Sequence, residues 1–370
     1  MLIGVPREIK NNEFRVGMTP ESVAVAVMHG HQVMIETAAG AGIGVSDDSY
    51  RAVGASVVDS ASEVFSQADM IVKVKEPQAV ERKMLRPGQI LYTYLHLAPD
   101  PEQTRDLIDA GAVCIAYETI TDDHGGLPLL KPMSQVAGRL SVQAGANALE
   151  KECGGLGRLL GGIPGVAPAR VLIIGGGVVG FNAAQMAVGM QADVTILDTN
   201  PLTIERLSNH FGASARVLHS NRALLETEVI AADLVIGAVL VAGAATPRLV
   251  TREMLGSMQD GAVLVDVAID QGGCFESSRP TTHADPIFIE QGVVHYCVAN
   301  MPGVVPRTST YGLNNATLPG LLAIADQGWQ AALRNNRHLR AGLNVCAGKV
   351  TYRAVADALG YDHVSVDSIL

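Results

Sequence analysis

Residues 169–198 read ARVLIIGGGVVGFNAAQMAVGMQADVTILD, and no other segment constrains the architecture as tightly. An aliphatic, β-branched run enters a glycine turn, an amphipathic stretch follows, and a second aliphatic run ends in an acid. Strand, G-x-G-x-x-G turn, helix and strand in that order form a βαβ unit suited to a pyrophosphate. Gly175 permits the tight turn, Gly177 lets backbone approach a phosphate, and Gly180 lets helix and strand pack closely. Free N–H groups at the start of that helix, FNAAQMAVGM, add a dipole term worth ~0.3–1 kcal/mol to an anion. The glycines alone would equally suit an ordinary strand–helix turn; the flanking elements and the terminal acid argue for a nucleotide.

The terminal acid is Asp198, 18 residues beyond Gly180. A carboxylate there accepts hydrogen bonds from an adenosine ribose. It also disfavours a 2′-phosphate, since like charges about 4 Å apart cost on the order of 4 kcal/mol at an effective dielectric of 20. The expected cofactor is NAD.

The same rhythm extends in both directions. Upstream lie LIGVP, a helix opened by Thr19-Pro20-Glu21, HQVMIE, a helix after Ser46, ASVVD, MIVKVK (70–75), ILYTYLH (90–96), the helical PEQTRDLIDAG and VCIAYET (113–119). Downstream come DLVIGAV, GAVLVDVA and VVHYCVAN. A connecting helix is expected from an N-cap at Ser134 to about Cys153, another over 308–335, and a short helical tail too small for its own core should pack on the first domain. The fold class is α/β: two Rossmann-like domains with parallel sheets, separated by a cleft and joined by long helices. Residues 1–128 with 308–370 are expected to form the substrate domain, and 129–307 the NAD-binding domain.

Composition narrows the function. A chain of 370 residues, 48% hydrophobic and 17% charged, is too long for one core and too apolar for disorder. Its 37 acids against 27 bases, a net charge of −10, argue against nucleic acid. Aromatics at 4% beside 39 glycines suit small ligands better than stacking platforms. Five cysteines without C-x-x-C spacing point to a reducing cytoplasm and to no metal. The amino terminus lacks a signal-peptide core, and the longest apolar run, Leu234 to Ala245, has 12 residues against the roughly 20 needed to cross a membrane.

Strand parity would align Lys73 with Lys75, and Tyr92 with Tyr94 and His96. Because open α/β sheets bind ligands at the carboxyl ends of their strands, Lys75 and His96 become site candidates, with Asp270 after GAVLVDVA as the counterpart in the other domain. A cleft between the domains would bring them together. Each has a plainer reading: Lys75 as a solvated strand end, His96 as a core histidine, Asp270 as a turn carboxylate, and Arg15 as a surface charge. His29 and His31 are read as loop residues.

The segments IGVPREIKNNEFRVGMTPE, IVKVKEP, LYTYLHLA, PLLKPMSQVAGRL, GGIPGV, ADLVIGAVLV, VDVAIDQGGCFESSRPTTH and YCVANMPGVVPRTST closely resemble alanine dehydrogenases, in order and over nearly the whole chain. The soluble NAD-binding domain of proton-translocating transhydrogenase is similar in fold. The resemblance implies an NAD-dependent oxidoreductase interconverting L-alanine with pyruvate and ammonium, placed in L-alanine catabolism, and a homo-oligomer, specifically a hexamer. It implies that Arg15 and Lys75 hold the substrate, that His96 is the acid/base and that Asp270 completes catalysis. It further implies dinucleotide contacts from Ser134, Val178, Val179, Asp198, Ser220, Val239, Leu240, Val267, Ala268, Ile269, Asp270, Arg279, Val298, Ala299, Asn300 and Met301. One departure stands out: such proteins commonly carry a basic residue where this chain has Thr203, with Arg206 a few residues further on.

Overall fold

The computed structural model describes residues 1–239 and 246–370. Among these, fifteen strands, β1 to β15 in chain order, form two sheets. The chain divides into two compact units, Met1–Met133 with Gly303–Leu370, and Ser134–Pro302. The first unit reaches residue 133 rather than 128 and resumes at 303 rather than 308.

The first unit holds β1 (Leu2–Val5), β2 (Gln32–Glu36), β3 (Ser56–Val58), β4 (Met70–Val72), β5 (Ile90–Thr93), β6 (Val113–Ala116), β14 (Leu343–Cys346) and β15 (Lys349–Val350). The second holds β7 (Arg170–Ile174), β8 (Asp193–Asp198), β9 (Arg216–His219), β10 (Leu234–Gly237), β11 (Val263–Asp266), β12 (Ile287–Glu290) and β13 (Val293–Tyr296). Along β4, β5 and β6 alternate side chains enter two separate cores, Met70, Val72, Tyr92 and Ile115 on one face, Ile71, Leu91 and Cys114 on the other. This explains why those strands read as unbroken apolar runs.

The parallel strands run β3-β2-β1-β4-β5-β6 in one sheet and β9-β8-β7-β10-β11-β13 in the other. Both are the doubly wound order, which reverses between β1 and β4 and between β7 and β10; ligand crevices form at such reversals, beyond the carboxyl ends of the strands.

Both sheets are mostly parallel, as expected, with antiparallel strands added at one edge of each. β14 pairs antiparallel with β6 and with β15, and β12 antiparallel with β13. Two-residue turns make these hairpins: Ala347 and Gly348 have φ of 47° and 79°, Gln291 and Gly292 have 51° and 78°. Positive φ at both positions matches the twist of the flanking strands. The expected helical tail is therefore this β14–β15 hairpin followed by the helix Arg353–Leu359.

Thr19 and Ser46 do cap their helices, accepting from the Ser22 and Ser49 N–H groups. Ser134 does not: the helix begins at Lys131 and ends at Ala148, with a separate 3₁₀ turn at Lys151–Cys153. The stretch 308–335 is two helices, Pro306–Gln327 and Trp329–Asn335, broken where Gly328 adopts φ 77°.

His295 on β13 is fully buried and stacks on Phe288 at 4.7 Å. Its Nδ1 lies 3.0 Å from the Val293 carbonyl, which can only accept, so Nδ1 carries the proton and Nε2 accepts from the Ser277 hydroxyl at 2.7 Å. Burial pushes its pKa down to about 4 from 6.5. The unfolded chain then binds this proton first as pH falls, so stability is lost between pH 6.5 and 4, by about 3 kcal/mol at the lower end. Urea unfolding at pH 7 and pH 4 should give a smaller loss for His295→Gln than for the wild type; equal losses would refute the account.

Candidate functional site

In the first unit the chemistry gathers where β1 and β4 end. A Cβ on Gly17 would lie 2.5 Å from the Val72 carbonyl, so the segment carrying Arg15 packs directly on the end of β4. Arg15 is 2% exposed, contrary to the surface-charge reading. Its Nε and Nη2 donate to the two Glu13 oxygens at 2.6 and 2.5 Å, and its Nη1 approaches the Met133 sulfur at 3.0 Å. Burial works against this charge, and Glu13 more than restores it, raising the Arg15 pKa.

Strand parity fails for the lysines, because β4 stops at Val72. Lys73 turns inward, 1% exposed, between Glu8 at 3.0 Å and Glu81 at 2.8 Å. Burial pushes the Glu8 carboxyl up while Lys73 pulls it down; Lys73 itself is lifted above its ordinary value by the two carboxylates against the cost of burial. Glu8 also accepts from the Val74 N–H at 2.6 Å and the Lys75 N–H at 3.4 Å. Lys75 is half-buried, and its carbonyl accepts from the Thr93 hydroxyl at 3.0 Å.

Parity fails for His96 too, since β5 stops at Thr93 and His96 has φ 51°. Its exposed ring stacks on Tyr94, centroids 6.0 Å apart. Tyr94 stays a neutral phenol, pushed up by burial although Arg15 pulls the other way, and it donates to the Leu129 carbonyl at 2.5 Å. Arg15, Lys75 and His96 thus lie on one group of neighbouring segments, after β1, β4 and β5, at the carboxyl edge of one sheet. Glu8 and Glu13, which hold it, escaped the sequence reading; the two-residue spacing of Glu13 and Arg15 was the available signal.

In the second unit the glycine turn has the form its sequence demands. Gly175 has φ 99° and lies against β10, where a Cβ would meet the Ala238 carbonyl at 2.7 Å. On Gly180 a Cβ would fall 1.8 Å from the Gly175 oxygen, whereas on Gly177, the N-cap of the helix Val178–Gly189, it would meet nothing within 4 Å. Open space at a helix amino terminus is what an approaching phosphate requires.

Asp198, half-buried at the end of β8, accepts from the Gly176 N–H at 2.6 Å and the Asn200 N–H at 2.7 Å. Arg206 donates to the Gly176 carbonyl at 2.9 Å and lies over the Phe181 ring. The backbone of one residue of the turn, Gly176, is therefore held at both its N–H and its carbonyl, a role for Arg206 that sequence reasoning missed.

Ser220 follows β9 and donates its N–H to the Asp198 carbonyl at 2.8 Å; Val239 follows β10, and Leu240 lies outside the described residues. Val267, Ala268, Ile269 and the exposed Asp270 form a 3₁₀ turn after β11. Asp270 accepts from the Asn300 N–H at 3.2 Å, which ties that turn to the Val298, Ala299, Asn300 and Met301 segment beyond β13. These candidates all follow parallel strands. Ser134, inside its helix, and Arg279, 4.1 Å above the Phe288 ring, do not. The open cradle at Gly177, with an acid closing the next strand, fits a dinucleotide.

Two family models match the chain: the alanine dehydrogenase/PNT N-terminal domain over residues 4–137 and the C-terminal domain over 141–353. Alanine dehydrogenase of Halomonas elongata is 56% identical over 370 residues, all of both chains. A solved L-alanine dehydrogenase superposes with TM-score 0.95 at 51% identity, covering 97% of this chain and 99% of that one. A transhydrogenase from Sinorhizobium meliloti superposes with TM-score 0.82 at 25% identity, covering 96% and 100%.

The glycines make separable predictions. Gly180→Ala should cost about 1–3 kcal/mol of stability, because helix and strand must move apart. Gly177→Ala should unfold within ~0.5 kcal/mol of the wild type yet weaken NADH binding at least ~10-fold, about 1.4 kcal/mol. Urea titration and calorimetric binding read the two effects; wild-type affinity in Gly177→Ala would show that the phosphate lies elsewhere.

Proposed function

Because the chain belongs to the alanine dehydrogenase/PNT family, we propose that it is an NAD-dependent L-alanine dehydrogenase, interconverting L-alanine with pyruvate and ammonium. The observation that carries the site assignment is that Arg15, Lys75 and His96 all follow adjacent strands, β1, β4 and β5, at the carboxyl edge of the first unit's sheet. The first unit is assigned the substrate and the second the nucleotide.

NAD, when bound, would supply the hydride chemistry, and the open turn at Gly177 together with Asp198 would hold it. Arg15 holds the substrate carboxylate through charge-assisted hydrogen bonds, its guanidinium plane set beforehand by Glu13. Lys75 polarises the developing carbonyl oxygen. His96 moves the protons that carbinolamine formation and collapse require. Asp270 stabilises the cationic iminium and orients the water or ammonia. In the nucleotide site Gly175, Gly177 and Gly180 shape the phosphate turn, the Val178 and Val179 end of the helix faces the pyrophosphate, and Asp198 takes the ribose.

The reading carries with it a homohexamer in the cytoplasm, working in alanine catabolism. In support, all five cysteines are free, and no described helix is long and apolar enough to cross a membrane.

The direct test supplies NAD with a panel of small amino acids and follows NADH at 340 nm, near the ~10 s⁻¹ scale of ordinary turnover. Alanine should be the preferred substrate; another amino acid would move the assignment within the family, and none would leave a nucleotide-binding subunit. His96→Ala and Asp270→Asn should each lower kcat on the order of 10²-fold or more with NADH affinity nearly unchanged. Wild-type turnover in either variant would remove that residue from the mechanism.

A further inference from the structure

We propose that Glu118 is a positioning residue for His96: its carboxylate grips the backbone of residues 95 and 96 and so turns the imidazole out of the core toward substrate. The proposal rests on the reading of His96 as the acid/base.

The backbone at His96 has φ 51°, a left-handed conformation that residues other than glycine seldom adopt. Such a conformation persists where its surroundings over-determine it. Here the Leu95 N–H donates to both Glu118 oxygens, at 3.1 and 3.2 Å, and the His96 N–H donates to Oε1 at 2.6 Å. Successive N–H groups converging on one anion are the arrangement that a left-handed residue makes possible. A carboxylate suits it, being an acceptor only, with lone pairs enough for both donors.

The rest of the loop is held as firmly. Gln103 Nε2 donates to the Leu95 carbonyl at 2.6 Å, the Thr104 hydroxyl to the Leu97 carbonyl at 3.0 Å, and the Tyr94 N–H to the Val74 carbonyl at 3.3 Å. Leu95 and Leu97 are 0% and 2% exposed, while His96 between them is exposed. The reversal at His96 is therefore what separates this one side chain from its buried neighbours. Glu118 sits on the 3₁₀ turn Tyr117–Thr119 that ends β6, the strand paired with β5, so the sheet itself sets the distance between grip and loop. It acts through His96 and touches no reacting atom.

The test uses the full-length enzyme with Glu118→Ala, Glu118→Gln, Glu118→Asp and, for reference, His96→Ala. Glu118→Ala should lower kcat ~10²-fold, as a displaced catalytic group does, with KM for NAD and NADH affinity unchanged. Glu118→Gln keeps one oxygen for both N–H groups and should recover at least ~10-fold of that loss. Should the alanine variant fail to fold, Glu118→Asp, which keeps the charge but withdraws it by one methylene, must show the same drop in kcat. Wild-type kcat in the alanine or aspartate variant overturns the proposal, as does a glutamine variant no better than alanine, since that would make charge rather than grip the operative property. If His96→Ala keeps its turnover, the reading of His96 falls and this proposal with it; if His96→Ala is inactive while Glu118→Ala is not, this proposal alone falls.

Discussion

The Lys73 ammonium, sealed between Glu8 and Glu81, is the interaction on which the first unit's site depends. An ammonium without water must be paired, and removing one partner of such a group costs roughly 3–5 kcal/mol. Glu8 cannot satisfy Lys73 without lying across the end of β4, and there it also accepts the Val74 and Lys75 N–H groups. Glu81 reaches the same ammonium from the helix Ala79–Arg82 while accepting the Gln78 N–H at 2.7 Å. One desolvated charge thus draws the chain after β1, the end of β4 and the following helix to a single point. The position of Lys75 is a consequence of that closure.

The second unit solves the same problem with a carboxylate in place of an ammonium. Asp266, fully buried at the end of β11, accepts from the Ala268 N–H at 3.0 Å, the Cys274 N–H at 2.9 Å and the Ser278 hydroxyl at 2.5 Å. Burial pushes its pKa up, and these donors pull it back. The turn bearing Asp270 is held at both of its ends by this one side chain. Gly273, at φ 79°, is required there, because a Cβ would come within 2.5 Å of the Asp266 oxygen. Asp198 and Arg206 hold the Gly176 backbone in the same manner, so each functional turn is fixed by a polar group outside its own motif.

This explains what the amino-acid sequence discloses and what it withholds. The order of strands and helices is legible because apolar runs, caps and glycine turns are local signals, and Gly175, Gly177 and Gly180 carry their geometry in their own chemistry. The edge hairpins are less legible: Gln291-Gly292 and Ala347-Gly348 reverse the chain by positive φ at a residue type with no strong preference for it. Strand parity misplaces Lys75 and His96 because it assumes that a strand continues to the last residue of its apolar run. Here β4 and β5 end earlier, where the carboxylates of Glu8 and Glu118 take the backbone N–H groups that follow. Glu8, Glu118 and Asp266 leave no periodic trace, since each acts across tens of residues or on a turn whose shape it creates.

Backbone strain marks the same places. Among the described residues, seven other than glycine have positive φ. Gln291 and Ala347 lie in hairpin turns, and the Ala38 N–H is taken by Asp47 at 2.9 Å. His96 and Asn300 differ in what the conformation achieves: one donates its N–H to Glu118, the other to Asp270. A left-handed residue costs about 1–3 kcal/mol, so it survives only where a compensating contact is worth as much. A backbone N–H given to an ionised carboxylate is such a contact, roughly twice as strong as its neutral equivalent. The left-handed backbone at His96 and the grip of the Glu118 oxygens on its N–H are therefore one feature.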